Sequence, residues 1–280
     1  MLTDCGLWAI APGWERRILD AMSPDTGREA EVTAAAGRAT ADYTKVGASA
    51  VIPVKGVLTK HFSMFTLFFG GTAYSGIGRA LAAVVNDDEV ESVTLQIDSP
   101  GGSVDGLPEL GQAIQTAREH KPVNAFVDGL AASAAYYLAS NAETVTAAHE
   151  LNEVGSIGVR MLAYDFSRAF EDDGIRPVVI DTGVHKSAGA MGTEITEEQA
   201  AVWQAAVNRW MDHFVEVVAK GRSMPQESVR AAGDGRMFYA EDAARMGLID
   251  GVAGSSAQPA RRQGMRTDTA KVRQRLRGVR

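Results

Sequence analysis

The chain has one cysteine, Cys5, among its 280 residues. A disulfide within the chain and a cysteine-built metal cluster are therefore both excluded, and a reducing, cytoplasmic setting is expected. No basic residue adjoins Cys5 to lower its thiol pKa, so it is not read as a nucleophile. Long hydrophobic runs are also missing. The longest, at 64–71, falls far short of the roughly 20 residues of a spanning helix, and no membrane span is expected. The opening MLTDCGLWAIAPGWERR places an acid, and no basic group, ahead of its apolar residues, which is not the order of a secretory signal.

What is present is ordinary for a folded protein: 45% hydrophobic and 22% charged residues. The net charge of −7 is unevenly spread, because from residue 254 onward eight basic residues face the single acid Asp268, leaving +7 on the tail and −14 on the remainder. An acidic body is a poor platform for nucleic acid, so any such contact is expected only through the tail. The chain divides into three parts: an N-terminal arm at 1–46 with a short helical signal near 14–22, a main domain at 47–253, and a basic tail at 254–280, either disordered or the helical start of a scaffold-like extension.

Within the main domain, β-branched runs alternate with segments of helical period. Strands are predicted at 50–58, 90–98, 123–127, 144–148 and 177–181, and helices at 76–85, 107–119, 133–141 and 167–172. This alternation implies βαβ units and a mostly parallel sheet, an α/β fold. Thr196 and Gln199 form a capping box that opens a long helix, with Gly221 predicted to close it. A short helix comes after Pro225, and 235–252 reads as strand, helix, strand with a break at Gly247.

Three segments at strand ends could carry chemistry. Asp98-Ser99-Pro100-Gly101-Gly102-Ser103-Val104 can turn sharply and point backbone N–H groups outward, as an oxyanion site requires, although a plain turn has the same composition. Around Ser133, GLAASAAYY is built of small residues at a predicted strand-to-helix junction. There the serine is either a nucleophile, with the free N–H of Ala134 beside it, or a helix N-cap. The third segment, DTGVHKSAG, holds Lys186 among small residues. A lysine acts as a base near neutral pH only when burial destabilises its charged form; otherwise it is a surface residue.

Taken together, DSPGGSV, GLAASAAYY, GSIGV at 155–159 and VHKSAGAMGTEITEEQ resemble the signal peptide peptidase A family of serine peptidases. The similarity extends through GRSMP and GRMFYAEDAARMGLIDGV, about residues 48–253. The resemblance implies a Clp protease/crotonase-like fold with a long C-terminal helix. It makes Ser133 the nucleophile and Lys186 the base, gives the oxyanion hole to the N–H groups of Gly102 and Ala134, and gives Ser156 the task of orienting the lysine amine. It implies neither metal nor cofactor. The chain departs from the family at Ala134 and Ala135, where glycines are usual. The related Clp protease pairs its serine with a histidine about twenty-five residues later, but position 158 here is glycine. The neighbouring His185 is a candidate helper.

The arm and basic tail also resemble bacteriophage head-maturation peptidases of the minor capsid protein C type. The expected partners are then a protein or peptide substrate, such as phage scaffold or portal protein, and further copies of the same chain. The rivals are an inactive scaffold-binding protein on the same fold, a cytoplasmic peptide-degrading peptidase, and an acyl-CoA enzyme of the crotonase type. Ala131 and Ala132 are expected to favour compact side chains near the cut. Trp203, Trp210 and Phe214, at helical spacing, read as core or subunit interface, and the run 61–69 as groove, interface or core.

Overall fold

The computed structural model describes residues 8–10, 43–62 and 70–253. Cys5, the helical signal near 14–22, positions 63–69 of the aromatic run and the basic tail lie outside the described residues.

The main sheet is built on parallel strands. Alternating burial along β3 (Ser49–Lys55) and β6 (Ser92–Ser99) directs Ile52, Val54, Leu95 and Ile97 into the core. β8 (Val123–Ala132) lies beside β6, and β9 (Thr144–Ala147) beside β8. The order continues to β10 (Glu153–Gly155), parallel to β8. Antiparallel strands flank these, β2 (Thr44–Val46) on β3 and β11 (Met237–Tyr239) on β10. β12 (Gly251–Val252) adds to β9. This is the α/β, mostly parallel arrangement of a Clp protease-like domain, as the alternation of strand and helix patterns predicts.

A second, smaller sheet has the order β1 (Trp8–Ile10), β7 (Gly101–Ser103), β4 (Leu58–Thr59), β5 (Thr72–Ala73). The predicted strand at 50–58 is thus two strands. Gly56 breaks it in a left-handed conformation, φ +62°, where an added Cβ would lie 2.4 Å from the Gly70 carbonyl oxygen.

Helices α1 (Tyr74–Val85) and α2 (Leu107–His120) turn Ile77, Leu81 and Val84, and Leu110 and Ile114, into the core. Each such side chain contributes about 1.5–3 kcal/mol on burial. The short α3 (Ala134–Ser140) is buried throughout. α4 (Ser167–Asp172) buries nothing. α5 (Glu197–Arg222) begins at the Thr196–Gln199 capping box and buries only its second half, where Phe214 meets Tyr137 edge to face at 5.3 Å. Of the helix's aromatic stripe, Phe214 is core and Trp210 packs against it. α6 (Gln226–Ala232) and α7 (Ala240–Met246) complete the order.

Two predictions fail informatively. Gly221 does not close α5, which continues through it to Arg222 and ends at Ser223 with φ +55°. A Cβ at Gly221 would stand 1.9 Å from the Ser140 carbonyl oxygen, so this glycine permits close approach of α5 to α3. The predicted strand at 177–181 has no pairing partner among the described residues. Its Val178 and Ile180 are 81% and 94% exposed, because a β-branched run becomes a strand only where an edge is available to pair with it.

Candidate active site

The end of β8 is shaped by a bulge. Between the pairs Ile97–Val127 and Ser99–Ala131, two steps along β6 correspond to four along β8. Gly129, at φ +146°, supplies the bend, and Asp98 stands against it while its Oδ1 accepts the Leu130 N–H at 3.2 Å. Asp98 therefore pins the bulge. Past the bulge, β8 exchanges β9 for β10 as its neighbour. Such bulges re-aim the residues beyond them.

Ser133 comes directly after β8, at φ +54° and ψ −118°. A non-glycine residue in this region carries about 1–3 kcal/mol of strain and persists only where its surroundings over-determine it. Here its N–H donates to the Gly155 carbonyl at 2.8 Å, and its carbonyl accepts the Tyr137 N–H at 2.8 Å, opening α3. The side chain makes no cap bond to the helix. Instead Oγ donates to the Gly158 carbonyl at 3.3 Å. The residue is 1% exposed. Gly158 stands at the position where the Clp-type histidine would fall, and an added Cβ there would meet only Gly235 Cα, at 3.9 Å.

The glycine turn lies alongside, since α3 contacts β7. Gly101 takes φ +95°. At Gly102 a Cβ would fall 1.8 Å from the Leu58 carbonyl oxygen, so no larger residue fits against β4. Ser99 holds the turn: fully buried, its Oγ donates to the Gly56 carbonyl at 2.6 Å and accepts the Gly101 N–H at 3.1 Å. The buried Tyr74 phenol donates to the Ser103 carbonyl at 2.7 Å, and burial pushes its pKa up, which keeps it a neutral donor. Sequence reasoning overlooked Ser99 as a positioning residue. The available signal was a serine two residues before a glycine N–H, a common local side-chain-to-backbone pattern.

Ala134 is fully buried at the first position of α3, where helix geometry leaves the N–H without an intrahelical acceptor. Ser156 comes directly after Gly155, takes φ +48°, is nearly buried, and donates its N–H to the Arg236 carbonyl at 2.8 Å. Ser133, Gly102, Ala134 and Ser156 therefore converge on one corner of the fold.

Lys186 does not join them through any hydrogen bond. It is exposed in a run of turns at 184–189, and among the described residues its Nζ has no hydrogen-bond partner. The segment is held by Ser187 Oγ donating to Asp181 at 2.5 Å and by Gln199 Nε2 donating to the Val184 carbonyl at 2.8 Å. The small neighbours expected to enclose the lysine leave it open. The exposed His185 faces Glu198 at 3.5 Å. Ala131, expected beside the groove, belongs to the hydrophobic core instead, with Ala132 buried next to it.

A strained serine between a bulged parallel strand and a buried helix, next to a glycine turn, is the candidate active site of this Clp protease-like domain. In agreement, the Clp protease family model matches residues 66–150 and that of Peptidase family S49 matches residues 115–263. The chain belongs to peptidase family S49. It is 30% identical over 76% of its length to the head-tail preconnector protein GP5 of Enterobacteria phage P21, covering 42% of that protein. It is 28% identical over 85% of its length to the capsid assembly protease C of Escherichia phage lambda, covering 56% of that chain. The chloroplastic serine protease SPPA of Arabidopsis thaliana is 30% identical over 63% of this chain and 26% of its own. The chain thus spans about half or less of these relatives. Among the described residues no helix is long and apolar enough to cross a membrane.

Proposed function

We propose that the chain is a serine endopeptidase in which Ser133 is the nucleophile and Lys186 the general base. The observation that carries this reading is the strained backbone of Ser133, held beside the Gly102 turn. Strained residues persist only where their surroundings hold them, and they cluster at functional sites. In the reaction, neutral Lys186 takes the Ser133 proton as Oγ attacks the scissile carbonyl. The N–H groups of Gly102 and Ala134 stabilise the oxyanion. Lys186 protonates the leaving amine as the acyl-enzyme forms, then activates the water that hydrolyses it, while Ser156 orients the amine. No step calls on a metal or cofactor.

Lys186 is exposed, and a lysine becomes a base only where burial destabilises its charged form, so it must be covered to act. The apolar Val178, Ile180, Val184 and Met191 stand exposed in the same segment. A second copy of the chain lying over them would both bury this surface and dry the amine, so the active form is a homo-oligomer. The likeness to the lambda and P21 proteins over most of this chain supports a role in phage head assembly within the host cytoplasm. The substrates there would be scaffold or portal protein, or the chain itself.

The test is co-expression with a scaffold or portal protein, scored by intact mass. The parent produces fragments, and neither Ser133→Ala nor Lys186→Ala does; cleavage that persists in both variants overturns the assignment. The open position of Lys186 also suits a second reading, an assembly protein without turnover, for which the folded oligomer would leave a serine-reactive probe unattached.

A further inference from the structure

β7 has two edges. One is closed by β4, which lies so near that Gly102 has no room for a Cβ. The other would have to receive a peptide if the Gly102 N–H is to meet a scissile carbonyl, because an extended substrate reaches that N–H only by adding as a strand. This second edge is taken. β1 pairs with it antiparallel, in the register Trp8–Ser103, Ala9–Gly102, Ile10–Gly101. The chain's own N-terminal segment thus lies along the strand proposed to hold substrate, with Ala9 opposite the oxyanion glycine. With β1 in place, Gly101, Gly102 and Ser133 are all buried.

We propose that Trp8–Ile10 is an autoinhibitory strand, an internal occupant of the peptidase groove that an incoming extended peptide must displace from β7. The inference rests on the peptidase reading for its consequence, but occupancy can be measured without turnover. A three-residue strand pair exchanges only a few hydrogen bonds, each contributing about 0.5–1.5 kcal/mol net. Such a strand competes with substrate, yet a tight-binding sequence can displace it. Access to the groove would then depend on how well a peptide matches β7.

The test uses the full chain carrying Ser133→Ala, so that no probe is consumed. Ala9→Pro and Ile10→Pro are introduced together: alternate N–H groups of an antiparallel strand face its partner, and two successive prolines remove whichever one bonds to β7. A fluorescein-labelled peptide of residues 6–13 is titrated by anisotropy, and exchange of the Gly101–Ser103 amides is followed by mass spectrometry. The double-proline chain is expected to bind the peptide at least tenfold more tightly and, when no peptide is present, to exchange faster whichever of these amides faces β1. Equal affinity, or unchanged amide protection, overturns the inference. A second chain with Ala9→Gly keeps every N–H and is expected to bind like the parent; tenfold tighter binding here would show that β1 acts other than by pairing, and would also overturn it. The prolines are then placed on the intact Ser133 background. A rise in kcat/KM supports both readings, whereas tighter binding with no hydrolysis in either chain sustains the occupancy and sinks the peptidase assignment.

Discussion

At the scale of single residues, the candidate site depends on side chains that hold its backbone in place. Ser99 is the clearest. Replacing it with alanine leaves the buried Gly101 N–H and Gly56 carbonyl without their shared partner, a loss of about 1–3 kcal/mol. Because the turn it holds presents the Gly102 N–H, Ser99→Ala is expected to lower kcat about tenfold, less than outright loss of an oxyanion donor, with KM little changed. Steady-state kinetics on a peptide substrate would check this, and an unaltered kcat would remove Ser99 from the positioning set. The motif DSPGG and the small residues around Ser133 were legible in the sequence. The part Ser99 plays was not, because it depends on Gly56, 43 residues away in the chain.

At the scale of elements, glycines decide how closely the pieces approach. Alanine normally favours a helix over glycine by about 0.8–1.0 kcal/mol. Gly221→Ala is expected to do the opposite and destabilise by about 1–3 kcal/mol, because its Cβ would strike the Ser140 carbonyl and push α5 off the helix that begins beside Ser133. Urea denaturation of the variant beside the parent would measure it, and a stabilised variant would contradict the packing. Helical periodicity located α5 correctly but not its end: a glycine after a periodic stretch reads as a stop signal unless its neighbour in space is known. The same holds for 177–181, whose composition is that of a strand and whose partner is not among the described residues.

At the scale of the whole molecule, the C-terminal part is fastened to the sheet by an ion pair. Arg222, with its side chain 2% exposed, donates to Asp250 at 2.9 Å, and the same carboxylate accepts the Val145 N–H at 2.7 Å. Asp250→Ala would leave a buried guanidinium without its counter-charge and is expected to cost about 3–5 kcal/mol. The double replacement Arg222→Met, Asp250→Leu should recover most of that in thermal melts. At the opposite edge of the sheet, Asp87 joins α1's end to β2. Its hydrogen bonds from Lys45 and then Tyr43 hold its carboxyl at about 2, below the ordinary 3.8. A depressed carboxylate stabilises the fold above its unfolded value, so this contribution is complete above pH 3.8 and is lost as pH falls toward 2. Asp87→Asn should therefore flatten the pH dependence of stability in that window and leave it unchanged between pH 5 and 7. A steep slope that survives the substitution would assign the acid sensitivity to other carboxylates.

The sequence by itself determined the alternation of strand and helix, and so the parallel sheet, because side-chain periodicity is a local property. It also determined which serine, glycines and lysine were worth pursuing, because small residues at strand ends are local too. Only the tertiary structure decided that Ser133 is strained, that Ser99 holds the glycine turn, that Lys186 stands open to solvent and that Trp8–Ile10 lies on β7. Each of these depends on which backbone groups, distant in the chain, are brought within hydrogen-bonding reach, and no periodicity encodes that.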